Sequence, residues 1–157
     1  MNDRARRIAV MVVATAATSA LSAIALAKAD AQEGSGAISA GRTVWSGVYT
    51  AVQADRGGNV YARECANCHG AGLEGADMSP ALAGGGFMAN WNDLTLGDLF
   101  DRIRTSMPAN RPGALSRQEN IDVIAHLLRS NQFPEGKTEL PTETPALRTI
   151  KFVTVKP

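Results

Sequence analysis

The only two cysteines of this 157-residue chain stand one helical turn apart with a histidine directly after the second: Cys65-Ala66-Asn67-Cys68-His69. Whatever the chain folds into must present two thiols and an imidazole from one short stretch. The residues that follow supply little to pack around them. Residues 70–90 are mostly Gly, Ala, Pro and Ser, and aromatics make up only 5% of the chain, so this part of the sequence cannot build much core. A buried planar group held at the motif would provide the missing apolar volume, with the glycine-rich loop ordered around it.

The compartment comes from the N-terminus. Arg4, Arg6 and Arg7 precede a run without charge from Ile8 to Ala27, followed by the small-residue sites Ala25-Leu26-Ala27 and Ala29-Asp30-Ala31. This is the layout of a secretory signal peptide, so residues 1–31 are expected to direct export to the periplasm, with cleavage after Ala31 or, second, after Ala27. The run is also about as long as a membrane span, and membrane contact is expected only where it is retained as an anchor. Removing residues 1–31 takes away four basic and two acidic side chains, which leaves 12 basic against 13 acidic and moves the formal charge from +1 to −1. A chain so close to neutral lacks the basic stripe of a nucleic-acid binder. Strong electrostatic steering of a partner is not expected either.

Residues 32–44 read as a flexible leader, residues 45–141 as one domain, and residues 142–157, with Pro141 before them and Pro145 and Pro157 within, as a C-terminal tail. The alternation at Ile150-Lys151-Phe152-Val153-Thr154-Val155 also allows a short strand or a segment lying along a partner. Three helices are expected in the domain. The first covers residues 52–66, with Val52, Val60 and Tyr61 as apolar contacts, and its Gly57-Gly58 pair implies close approach of another backbone. The second starts on a capping box of Thr95 and Asp98, repeats Leu96, Leu99, Phe100 and Ile103 at helical spacing, and ends near Ser106. The third starts on Ser116 and Glu119, buries Ile121, Ile124, Leu127 and Leu128, and stops at Phe133-Pro134. No convincing pair of alternating strands is visible, so the domain is read as all-α.

The pattern C-x-x-C-H is that of a c-type haem attachment site. Each thiol can add to one vinyl group of the same porphyrin while His69 presents its imidazole to the iron. A structural zinc site needs four ligands, and the only other histidine is His126. A thioredoxin-like C-x-x-C should accompany a βαβ pattern, which is lacking. A disulfide across two residues would close too short a loop to stabilise much. For the second axial ligand there are Met78, Met88 and Met107 outside the signal segment. Met78 and Met88 follow His69 too soon to leave its side of the ring, whereas Met107 comes after the second helix and before Pro108, from where the chain can cross the distal face. His126 sits among apolar residues and reads as structural. Gly84-Gly85-Gly86, with no preceding strand and no following Lys, is not a phosphate loop and reads as a tight passage beside the haem.

The sequence Cys65-Ala66-Asn67-Cys68-His69-Gly70, then Ser79-Pro80-Ala81-Leu82, then Ser106-Met107-Pro108, then Ala125-His126-Leu127-Leu128 resembles a class I, single-haem cytochrome c over about residues 45–141. The resemblance implies three main helices wrapped around one covalently attached haem c. It also implies that the first and last helices cross near Gly57 and Tyr61, that the Pro80 carbonyl accepts the Nδ1 proton of His69, and that Trp91 packs near a haem propionate. An aromatic is usual in the family where this chain has His126, so a looser or more polar helix crossing is expected.

With His69 and Met107 both on the iron, no coordination site is left for substrate. The expectation is therefore an electron carrier, not an enzyme, that transfers single electrons between a periplasmic dehydrogenase and an oxidase or other cytochrome of the respiratory chain. Trp45-Ser46-Gly47-Val48-Tyr49-Thr50 and Arg111-Pro112-Gly113-Ala114-Leu115-Ser116 are similar to cytochrome domains that accompany quinoprotein dehydrogenases. Two alternatives remain open at this stage: a haem-based ligand-binding or sensing protein, and a subunit docked tightly to a dehydrogenase or oxidase through residues 140–157.

Overall fold

All three expected helices form, and each begins on a hydroxyl. The computed structural model describes residues 41–157; the expected signal segment and the leader up to residue 40 lie outside the described residues. In chain order the elements are β1 (Arg42–Thr43), a 3-10 turn (Val44–Ser46), α1 (Ala51–Glu64), α2 (Ala66–His69), α3 (Gly85–Trp91), α4 (Leu96–Ser106), α5 (Arg117–Ser130), α6 (Thr144–Leu147) and β2 (Ile150–Lys151). Thr50 accepts from the Gln53 amide at 3.1 Å to open α1. Thr95 with Asp98, and Ser116 with Glu119, form reciprocal capping boxes at α4 and α5, each satisfying two amide donors that the helix cannot. The described residues are all-α apart from two strands of two residues.

α4 and α5 bury Leu96, Leu99, Phe100, Ile121, Ile124, Leu127 and Leu128, against which α1 sets Val60 and Tyr61. One expected contact is wrong: Val52 is 63% exposed and the buried neighbour is Gln53. The amide of Gln53 is drawn inward because it matches the backbone of Leu140, accepting from its N–H at 2.8 Å and donating to its carbonyl at 3.4 Å.

Residues 142–157 do not lie free as a tail. Leu147, Ile150 and Phe152 are fully buried, and β2 pairs in parallel with β1, Arg42 opposite Ile150 and Thr43 opposite Lys151. This pairing also draws residues 42–44, the end of the expected leader, into the domain; Val44 is fully buried. The physical reason is aromatic. Phe152 stands edge-on to Phe133 at 5.2 Å and to Phe87 at 5.9 Å, and Phe133 in turn meets Trp45 at 4.8 Å. Such edge-to-face pairs add to the area each ring removes from water.

The helix crossing is close, not loose. A Cβ on Gly57 would overlap the Asp122 carbonyl, so the backbones of α1 and α5 meet there; Gly58 has more room, with the His126 ring 3.3 Å from where its Cβ would stand. The His126 ring packs on Tyr61 at 5.2 Å. The greater polarity expected of the crossing does appear, because the buried Nδ1 of His126 has no hydrogen-bond partner.

Two predictions follow from the crossing. Gly57→Ala on an open helix would gain about 1 kcal/mol of helix propensity, but here it is expected to cost about 2 kcal/mol because a backbone carbonyl must shift. Its urea midpoint should fall below those of wild type and Gly58→Ala. Burial, reinforced by the charge of Arg129, lowers the pKa of His126 from its usual 6.5. The fold therefore favours the neutral ring: its contribution is complete above the unfolded value and is lost as pH falls through the lower folded value. Urea midpoints measured from about pH 7 to about pH 5 should drop more in wild type than in His126→Phe.

Candidate functional site

The cysteine motif straddles the junction of α1 and α2. The Cys65 amide still donates to the Tyr61 carbonyl at 2.8 Å, completing α1, while the Cys65 carbonyl accepts from Cys68 at 3.1 Å and from His69 at 3.0 Å. Both thiols are unpaired, Cys65 half-buried and Cys68 exposed. A redox-active C-x-x-C pair lowers the pKa of a thiol. Here burial, with the Glu64 carboxylate adding, pushes Cys65 up to about 11, which is opposite to what disulfide chemistry needs. Among the described residues no group of three or more His, Cys, Asp and Glu could hold a metal ion.

His69 is buried, and its Nδ1 lies 2.8 Å from the Pro80 carbonyl. A carbonyl oxygen only accepts, so Nδ1 carries the proton and Nε2 keeps a free lone pair for coordination. The loop that aims Pro80 is built on backbone bonds. Gly75 N–H donates to the His69 carbonyl at 2.8 Å, Ala76 and Ser79 exchange two bonds, and Leu82 N–H donates to Leu73 at 2.8 Å. Gly75 has φ +78°, and a Cβ there would meet Ala81 N at 2.6 Å and Ser79 O at 2.7 Å. Tyr61 closes the other side by donating its hydroxyl to the Gly70 carbonyl at 2.6 Å. The structure thus brings Cys65, Cys68, His69 and Pro80 into one bonded unit.

Met107 and Trp91 stand on other elements. Met107 is the half-buried C-cap of α4, with extended φ −124° and ψ 151°, and Pro108 after it is buried. Of the other methionines, Met78 is 96% exposed and Met88 packs on the core from α3. Trp91 ends α3, half-buried, with its ring tilted 6.2 Å from Phe87. The three glycines open α3, with Gly84 as its N-cap. A Cβ on Gly84, Gly85 or Gly86 would meet nothing within 4 Å, and only Gly84, with φ +83°, needs glycine's backbone freedom, to cap α3.

This donor set fits a c-type haem: two unpaired thiols one turn apart, an adjacent imidazole with its far nitrogen unprotonated, and a methionine held extended before a buried proline. Four residues that shape the site carry no clear signal of it in the sequence. Tyr61 reads as an apolar contact at the helix crossing, Gly75 is one of many glycines, and the pairing of Arg111 with Glu64 at 2.5 Å leaves no local signal.

Gly75→Ala is expected to cost about 2 kcal/mol, since a strained φ and a blocked approach coincide. It should also move the His69 Nδ1–H resonance in the proton spectrum of the haem-loaded protein. An unmoved resonance would show that Pro80 is aimed by other contacts.

Residues 52–127 match the family model described as cytochrome C oxidase, cbb3-type, subunit III. The chain is also similar in structure to a chain of the sulfane dehydrogenase SoxCD from Paracoccus pantotrophus, with a TM-score of 0.46 and 21% identity, covering 69% of this chain and 61% of that one. It therefore spans less than two thirds of that chain. No curated protein matches.

Proposed function

We propose that the chain, which carries a class I, single-haem cytochrome c domain with haem c as its cofactor, is a periplasmic carrier moving one electron at a time from a dehydrogenase, of the quinoprotein kind, to an oxidase or another cytochrome. The observation that carries this reading is the 2.8 Å bond between His69 Nδ1 and Pro80, which fixes the imidazole with Nε2 ready to coordinate. Bound haem c would supply a one-electron iron couple and a conjugated edge for electron entry and exit. Cys65 and Cys68 would hold the group through thioether links, and His69 and Met107 would supply the ligands to its iron. A soft thioether ligand raises the reduction potential. With both ligands drawn from its own side chains, the protein would offer no open iron position to a substrate and would act as a carrier.

The partner assignment is supported by the sequence. The signal-like N-terminus favours export, and the nearly neutral mature charge suits small, short-lived redox contacts. Residues 45–50 and 111–116 are similar to cytochrome domains found with quinoprotein dehydrogenases. The tightly docked subunit would need residues 142–157 as a free arm, whereas Leu147, Ile150 and Phe152 are buried in this domain. That packing favours the mobile carrier.

Met107→Ala should retain covalent haem yet open the reduced iron to carbon monoxide, read as a prompt shift of the visible bands. Replacing both Cys65 and Cys68 by Ala should abolish covalent haem after expression with a maturation system. Methionine-independent exclusion of carbon monoxide would remove Met107 from the iron.

A further inference from the structure

We propose that Glu64 and Arg111 form a clamp that holds the Met107 loop in place, making Glu64 a positioning residue for that methionine. The inference rests on Met107 as axial ligand. Residues 107–116 connect α4 to α5, and beyond the buried Pro108 the stretch from Ala109 to Ala114 is exposed. Two successive turns shape it, Arg111 N–H donating to Pro108 at 2.8 Å and Ala114 N–H to Arg111 at 3.1 Å. A loop with so few buried contacts is of the kind that opens locally at low cost. Arg111 gives it a side-chain tie to the haem-attachment side of the domain.

That tie ends on Glu64, the last residue of α1 and the neighbour of Cys65. Glu64 Oε2 accepts from Arg111 at 2.5 Å, and Glu64 Oε1 accepts from Arg63 at 2.9 Å. Arg63 reaches on to Glu119 at 3.0 Å, the residue that caps α5 from Ser116. The charges Arg111, Glu64, Arg63 and Glu119 alternate in sign and connect the methionine loop to the end of α1 and the start of α5. An isolated surface pair contributes little. This one differs because the shared carboxylate is only 15% exposed, accepts from two guanidiniums and belongs to a network.

The test is the rate at which the reduced haem-loaded protein captures carbon monoxide, which requires Met107 to leave the iron. Glu64→Gln should raise that rate roughly three- to tenfold with covalent haem unchanged. Arg111→Gln should do the same, and the double variant should add no more than either alone. Added salt should accelerate capture in wild type but not in Glu64→Gln. A merely structural role would lower the urea midpoint and leave the capture rate unchanged in native buffer, which would overturn the clamp. Should Glu64→Gln fail to fold, Arg111→Gln decides by the same reading. Slow capture by wild type with a fast Met107→Ala establishes the ligation on which the clamp depends. Equally fast capture by both overturns the ligation and the clamp together.

Discussion

The close approach of α1 and α5 at Gly57 sets the position of everything that follows it in the chain. With the Asp122 carbonyl occupying the space a side chain would take, the two helices cannot slide without losing the contact, so the end of α1 is fixed. Cys65 begins the attachment motif there, and the α5 cap at Ser116 comes within reach of Arg63 through Glu119. Charge then secures what packing has set. Arg56 forks onto Asp122, whose side chain is 6% exposed, and also onto Glu139, while Arg129 meets Asp55. The more exposed of these pairs contribute little by themselves; the shielded Asp122 carboxylate, doubly bonded, contributes more.

From the crossing, a short series of bonds leads to the His69 ring. Tyr61, on the face of α1 that meets His126, reaches forward to the Gly70 carbonyl. Gly75 returns to the His69 carbonyl and lets Ser79, Pro80 and Ala81 pass close behind it. Pro80 then fixes the proton on His69 Nδ1. Orientation of an imidazole by its second nitrogen is how proteins generally tune a coordinating histidine. Here it depends on a glycine that could not be replaced without moving the carbonyl.

What was legible in the sequence was local. The Thr95-Asp98 and Ser116-Glu119 boxes announce their helices because donor and acceptor lie three residues apart. The C-x-x-C-H pattern is likewise self-contained. What was not legible depends on partners far away in the chain. Val52 reads as a core residue, and nothing nearby in the sequence marks Gln53 for burial, because the backbone of Leu140 that pairs with its amide lies far along the chain. Residues 142–157 read as a tail because nothing near Phe152 shows that Phe87 and Phe133 will enclose it. α3 is hidden by its glycines, whose composition suggests loop, although Phe87 anchors the helix to the core. The role of Pro80 came from family resemblance alone, since no spacing rule brings that carbonyl to His69.

The central claim is that His69 and Met107 of this chain together complete the coordination of the iron. The most direct measurement is the proton NMR spectrum of the reduced haem-loaded protein with its methionine methyl groups assigned. On this account the Met107 methyl appears far upfield, shifted by the ring current of a haem it touches, while the Met78 and Met88 methyls keep ordinary positions. A Met107 methyl at an ordinary position, or an upfield methyl belonging to Met88, would contradict it.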